Sequence, residues 1–117
     1  MGQDTALAYV EDMLTAISHI EDDIAGHDRD SFRADRRARQ LLERNIEIIS
    51  EASRRLPEAV QASETAVPWP QVRAIGNILR HEYRSVVADV LWDTATSDIR
   101  SLKSAMLRIR ENLLGGG

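Results

Sequence analysis

The sequence predicts an all-α protein folded as an antiparallel four-helix bundle. Apolar residues recur every three or four positions through most of the 117 residues, which is the spacing of one face of an α-helix. No stretch alternates apolar and polar residues in the way a half-buried strand does. The breaks between the periodic segments are short, and short connections place consecutive helices side by side and antiparallel.

The first two helices occupy the N-terminal half. The first is expected to end near Gly26, because glycine is a common C-terminal stop. Its apolar stripe consists of Leu7, Val10, Leu14, Ile17, Ile20 and Ile24. The second helix is expected to be capped by Asp30 or Ser31 and to run without interruption to around Ser63. Its apolar positions are Ala38, Leu41, Leu42, Ile49, Ala52 and Leu56.

The third and fourth helices follow a proline-rich break. Pro68 and Pro70 end the second helix, and Pro70 suits the first turn of the third. The apolar side of the third helix consists of Val72, Ile75, Ile78 and Leu79. The longer fourth helix has an apolar side made of Leu91, Ala95, Ile99, Leu102, Met106, Ile109 and Leu113. We expect one domain over residues 1–114 and a flexible glycine tail over 115–117.

Composition excludes several classes of function. The chain has no cysteine, which excludes disulfides, thiol catalysis and thiolate metal sites. No apolar run approaches the roughly 20 residues needed to span a bilayer, and no basic-then-apolar signal opens the chain. We therefore expect a cytoplasmic protein that does not contact membranes.

Charge is unevenly distributed along the chain. Residues 1–28 carry seven acids and no Lys or Arg, whereas residues 29–55 carry eight arginines against five acids. One interpretation is an acidic first helix lying beside a basic second helix. The other is that some of the arginines, such as Arg39, contact RNA phosphates, since guanidinium groups suit bidentate phosphate binding.

The sequence of the third helix predicts an arc of polar residues opposite its apolar side. At about 100° per residue, five residues with donor groups fall on this arc without a carboxylate among them. They are Arg73, Asn77, Arg80, His81 and Arg84. Such a surface suits a phosphodiester, and an imidazole with a pKa near about 6.5 can exchange protons near neutrality. A histidine that caps a helix end, or an aromatic Tyr83 that closes the bundle, explains those two residues equally well.

Four further polar residues have structural explanations. Asn45 falls on the apolar stripe of the second helix, where a buried amide by default bonds its neighbours. Glu51 is expected to be a salt-bridge partner. His19 and His27 are interpreted as solvated, so the sequence predicts no metal site and no cofactor.

The third helix and its surroundings resemble the HepT-like branch of the HEPN proteins. The family pattern is R-x-x-x-x-H-x-Y with an Asn after the Arg and a Pro-Trp upstream. His81, Tyr83, Asn77 and Pro68-Trp69 match it. Ile48-Ile49-Ser50-Glu51-Ala52 and Leu91-Trp92-Asp93 extend the resemblance, which runs from about residue 7 to residue 113. One position departs: Gly76 stands where the family has its motif arginine.

The resemblance implies a metal-independent endoribonuclease, the toxin of a toxin–antitoxin pair, which cuts RNA in a cleft between two copies of the chain. His81 would then act as acid or base, Asn77 would position substrate, and Arg80 or Arg73 would replace the missing cation. Arg84 and Arg39 would bind the RNA. The implied partner is a minimal nucleotidyltransferase antitoxin that attaches AMP to Tyr83.

Gly76 also supports a different hypothesis. Without the motif arginine, the chain would be a non-catalytic dimeric module that binds nucleotide or RNA and partners a minimal nucleotidyltransferase.

Overall fold

The chain folds as an all-α helical bundle, as the sequence predicts. The computed structural model describes residues 2–81 and 84–115, and the side chains of residues 5–76 and 88–115. The α-helices are α1 (Gly2–Ile24), α2 (Arg29–Ala34), α3 (Arg36–Arg55), α4 (Glu58–Ala62), α5 (Trp69–His81), α6 (Arg84–Asp93) and α7 (Ile99–Leu114). A π-helical turn, Thr94–Asp98, joins α6 to α7. In the part of the chain that the structure describes, no helix is both long and apolar enough to cross a bilayer.

The prediction of one uninterrupted second helix is wrong, and so is its cap. Asp28 caps α2: its carboxylate accepts from the Ser31 amide at 2.8 Å, while the Ser31 hydroxyl accepts from the Asp28 amide at 3.0 Å. Ser31 is therefore the third helical residue of a capping box, and Asp30 lies in the first turn. Asp35 then leaves the helical conformation, and its carboxylate accepts from the Ala38 amide at 3.0 Å to begin α3.

A second break separates α3 from α4 at Pro57. Leu56 is extended, with ψ of 133°, because the residue before a proline is pushed out of the α region. The side-chain Nε2 of Gln61 donates to the carbonyls of Ser53 and Leu56 at 3.0 and 3.1 Å. These bonds satisfy carbonyls that the end of α3 leaves without a helical partner.

The predicted end of the first helix and the predicted start of the third helix are confirmed. Gly26 follows α1 with φ of +82°, a left-handed conformation that glycine adopts without strain. Pro70 lies in the first turn of α5. The Trp69 indole is buried, and its Nε1 donates to the carbonyls of Gln61 and Glu64 at 3.0 and 3.1 Å, which fixes α4 against the start of α5.

The core lies between α1, α3 and α7, with α2 and α6 closing one side. Most positions of the stripes predicted for the first, second and fourth helices are confirmed as buried, but Leu41 is 49% exposed because Leu42 takes the inward position beside it. On the third helix Val72 and Ile75 are half-buried, and the side chains of Ile78 and Leu79 lie outside the described residues. The largest fully buried side chains are Val10, Met13, Ile17, Ile20, Phe32, Leu42, Ile46, Leu91, Met106 and Ile109.

The ion pairs connect different helices from those that the charge pattern suggests. α1 packs against α3. Its acids, however, pair with α7: Glu21 with Lys103 at 2.9 Å and Glu11 with Arg110 at 3.6 Å. The arginines of α2 pair with α6, where Arg33 binds Asp89 at 2.6 Å.

Asp89 and the two arginines that pair with it, Arg29 and Arg33, form the Asp89 cluster. We expect this cluster to make stability depend on pH. Hydrogen bonds and charge from Arg33, and then from Arg29, lower the pKa of the Asp89 carboxyl. A lowered folded-state pKa contributes stability above the unfolded value of about 3.9, and this stability is lost as the pH falls through the folded value. Asp89→Asn should therefore lower the thermal midpoint at pH 7, and the effect should shrink as the pH falls towards 2, as measured by circular dichroism.

The control for this prediction is Asp12→Asn. Asp12 is exposed on α1 and has no ion-pair partner among the described residues. Equal effects of the two substitutions at pH 7 would contradict the assignment to the Asp89 cluster.

Candidate active site

The predicted polar arc covers residues 73–84, from the middle of α5 to the first residue of α6. His81 is the last residue of α5, and Arg84 is the first residue of α6. The side chains of Asn77, Arg80, His81, Tyr83 and Arg84 lie outside the described residues. Their assigned roles therefore stay predictions.

Arg73 is the one member of the arc whose side chain is described. It is half-buried, and its Nη1 donates to the Gln61 side-chain oxygen at 2.8 Å. Its backbone carbonyl accepts from the Ser50 hydroxyl at 2.8 Å and from the Arg54 Nη2 at 3.0 Å. A phosphate at Arg73 would have to compete with Gln61, and the proposed role of Arg73 as a cation stays a prediction.

Arg39 lies at the bend between α2 and α3. It is half-buried, and its Nη1 donates to the Arg33 carbonyl. The guanidinium thus stabilises the bend where α2 ends, and its role in substrate binding stays a prediction.

Gly76 is buried and faces a polar pocket on α3. The pocket has a volume of about 180 Å³. Its other walls are Arg44, Glu47, Ser50, Glu51 and Arg54. Residues spaced by three, four and three positions lie on one face of a helix, so these side chains form a stripe along α3. The same spacing was visible in the sequence, but nothing there indicated that the stripe faces Gly76.

The charged groups of this pocket fall into two kinds. Glu51 accepts from Arg54 at 3.0 Å and from Arg55 at 3.1 Å, which confirms its prediction as a salt-bridge partner. Bonding to Glu51, and then to Tyr9, raises the pKa of Arg55. Arg44 and Glu47, in contrast, have no hydrogen-bond or ion-pair partner among the described residues.

Burial on the same helix affects a neighbouring carboxyl. Desolvation, and then the charge of Glu47, raises the pKa of Glu43. This stretch of α3 is therefore electrostatically crowded with acids one turn apart, next to the unpaired Arg44.

A larger, mainly apolar groove of about 510 Å³ lies between α3, α5 and α7. Val72 and Ile75 of α5 line it together with Ile46 and Leu102. Trp69, the first residue of α5, is buried in the core of its own chain.

The structural explanations of the other polar residues are confirmed except at His27. The Asn45 amide donates to the Leu41 carbonyl at 2.9 Å, as expected of a buried amide, and His19 is exposed. The interpretation of His27 as solvated is wrong, since its side chain is only 21% exposed. Its Nδ1 lies 2.9 Å from the Ser31 hydroxyl and its Nε2 lies 3.6 Å from Asp35, so it joins the caps of α2 and α3.

The all-α fold is that of a HEPN-type helical bundle. The sequence model of a family described as "Ribonuclease HepT-like" matches residues 13–109. The chain belongs to this HepT-like family, which confirms the resemblance found in the sequence.

Relatives of the chain carry ribonuclease names. It is 32% identical over 103 residues to "Probable ribonuclease HepT" of Thermococcus cleftensis, covering 88% of this chain and 94% of the relative. It is 27% identical over 105 residues to a "Putative RNase" of Caldanaerobacter subterraneus subsp. tengcongensis, covering 90% and 94%. No solved structure matches the chain. The family and these names support a ribonuclease-type function.

Proposed function

We propose that this protein is a metal-independent endoribonuclease, the toxin of a toxin–antitoxin pair, which acts in the cytoplasm on RNA as a homodimer. The observation that carries the proposal is membership of the HepT-like family together with the match of His81 and Tyr83 to the family pattern in the sequence. A histidine side chain can exchange protons near neutral pH without any bound ion.

The proposed reaction is an internal transesterification of the RNA backbone. The ribose 2′-oxygen attacks the adjacent phosphorus and gives its proton to the His81 imidazole. The bond from phosphorus to the 5′-oxygen breaks, and His81 of the second copy protonates that leaving oxygen. The products are a 2′,3′-cyclic phosphate and a 5′-hydroxyl, so protons and bonds balance without an oxidant or reductant.

Cations near His81 stabilise the pentavalent phosphorane, whose charge exceeds that of the bound RNA. Arg80 and Arg73 are the candidates on α5, and Asn77 positions the phosphate. Arg84 and Arg39 hold the RNA chain on either side.

Dimerisation and a partner complete the proposal. Two copies related by a two-fold axis bring both His81 residues to one phosphate, and such dimers are the commonest closed assembly. A minimal nucleotidyltransferase attaches AMP to Tyr83 and thereby silences the site. Light scattering that returned a monomer at micromolar concentration would contradict the dimer.

Purified protein is expected to cleave single-stranded RNA in the presence of EDTA. The chelator removes divalent ions, and a reaction that uses only side chains continues without them. The fragments should end in 2′,3′-cyclic phosphate and 5′-hydroxyl groups, which end-specific enzymatic labelling detects. Cleavage that stops in EDTA, or fragments with 5′-phosphate ends, would contradict this mechanism.

Gly76 favours a second candidate, a dimeric module that binds nucleotide or RNA without cutting it. A site without the family arginine has lost one cation from its motif helix. If several RNAs, transfer RNA among them, are bound but left intact by the wild-type protein, this second function replaces the first.

A further inference from the structure

We infer that the pocket between α3 and Gly76 is a subsite for one phosphate group of the RNA chain, and that Arg44 supplies its cation. The inference rests on the proposed function, because it takes RNA as the ligand. It assigns to α3 the charge that α5 lacks at Gly76.

The position of the pocket is the first support. Gly76 is buried, has no side chain, and forms the wall that α5 contributes. Gly76 precedes His81 by five residues on the same helix, a rise of roughly 7.5 Å. Neighbouring phosphates of one nucleic-acid strand are separated by a similar distance. The two positions are also turned by about 140° around the helix axis, so an RNA strand with one phosphate at the end of α5 must curve around the helix to place another over Gly76.

The state of the two guanidinium groups is the second support. Arg54 is fixed by Glu51 and by the Arg73 carbonyl, so it lends charge to the pocket without being free to move. Arg44 is exposed and has no partner among the described residues. A guanidinium on a long stem that makes no bond to its own chain loses no such bond when it binds a phosphate.

The hydroxyl at the middle of the stripe is already used. Ser50 donates to the Arg73 carbonyl at 2.8 Å and is almost fully buried, so it holds α3 against α5 rather than binding a ligand. The pocket wall is thereby fixed at a defined separation from Gly76.

The two carboxylates of the pocket, Glu47 and Glu51, oppose the binding of a phosphate. Glu51 is shared by Arg54 and Arg55, so two cations already surround its charge. Glu47 has no cation partner among the described residues and would repel a phosphate. Glu47 therefore lowers the affinity of the subsite for a phosphate. Removing its charge should strengthen the binding of a phosphate and weaken the binding of a ligand that donates hydrogen bonds.

The test measures binding of a single-stranded RNA with a 2′-O-methyl backbone, which lacks the attacking hydroxyl and stays intact. Arg44→Ala should weaken binding about tenfold, as expected for the loss of one charge-assisted hydrogen bond. It should also make the plot of log affinity against log salt concentration shallower by about 0.7, the value for one contact to a single strand. Arg44→Lys should retain part of the affinity.

Two further variants sharpen the test. Glu47→Gln should tighten binding, because it removes a repelling charge and keeps the shape of the side chain. Gly76→Arg in the Arg44→Ala background should restore affinity, because the new guanidinium enters the same pocket from the opposite wall. Arg100→Ala on α7 is the matched control, since Arg100 is also exposed and its side chain is unpaired among the described residues.

The subsite and the ribonuclease proposal fail in different ways. Equal affinities of Arg44→Ala and Arg100→Ala would overturn the subsite even if ordinary RNA is cleaved. Weaker binding by Glu47→Gln would also overturn it, in favour of a ligand with donor groups such as a base edge. Binding that depends on Arg44 without any cleavage of ordinary RNA would uphold the subsite and refute the ribonuclease.

Discussion

His81→Ala is expected to lower the rate of RNA cleavage by about 10²–10⁴-fold, the range for the loss of a general acid or base. Alanine can neither accept the proton of the 2′-hydroxyl nor donate one to the 5′-oxygen. Affinity for the uncleavable 2′-O-methyl RNA should change far less, because an acid–base role matters mainly as the transition state forms. Initial rates on a labelled single-stranded RNA give the measurement.

The matched control for His81 is His19→Ala. His19 is exposed on α1, in the acidic N-terminal segment. Its removal should leave cleavage unchanged. Cleavage that persists in His81→Ala at the wild-type rate would remove this residue from the mechanism.

Phe32→Ala is expected to lower the free energy of unfolding by about 3–5 kcal/mol, the range for removing a buried phenylalanine. Phe32 is fully buried, and its ring centroid lies 5.4 Å from that of Trp92 and 6.3 Å from that of His27. It is the one buried residue of α2, a helix of only six residues that cannot be stable alone. Urea unfolding, followed by circular dichroism at one fixed protein concentration, measures the change.

Phe32→Leu is the control for this site. It keeps most of the apolar volume, so its cost should stay below roughly 1.5 kcal/mol. A loss under about 1 kcal/mol for Phe32→Ala would mean that α2 is not part of the cooperative core.

The sequence predicts the long helices well because their apolar periodicity reports directly on burial. It fails where a single residue decides between continuing and stopping. Asp35 lies inside a helical pattern, and only its carboxylate bond to the Ala38 amide shows that one helix ends there and another begins. Pro57 was the more readable signal, since a proline inside a helical pattern ends or kinks the helix.

In the candidate site, one feature could be proposed from the sequence and another required the structure. The arc follows from spacing along the chain alone, and it stays a prediction because the side chains of Asn77, Arg80, His81 and Arg84 lie outside the described residues. The stripe on α3 that faces Gly76 required knowing which faces of two helices meet. His27 shows the same limit, because its contact with Asp35 spans two helix caps that periodicity does not reveal.

The π-helical turn at Thr94–Asp98 accommodates one residue more than a regular α-helix would hold between α6 and α7. A π turn holds about one more residue than an α turn. Within it, the Thr96 hydroxyl donates to the Trp92 carbonyl at 2.7 Å, and Ala95 is buried. Deleting one residue here would allow a regular α-helix that turns through about the same total angle, so α6 would keep its rotational setting relative to α7. Asp89 would still face Arg33. A single-residue deletion within Thr94–Asp98 should therefore be tolerated better than one inside α7, which would rotate the helix beyond it by about 100°.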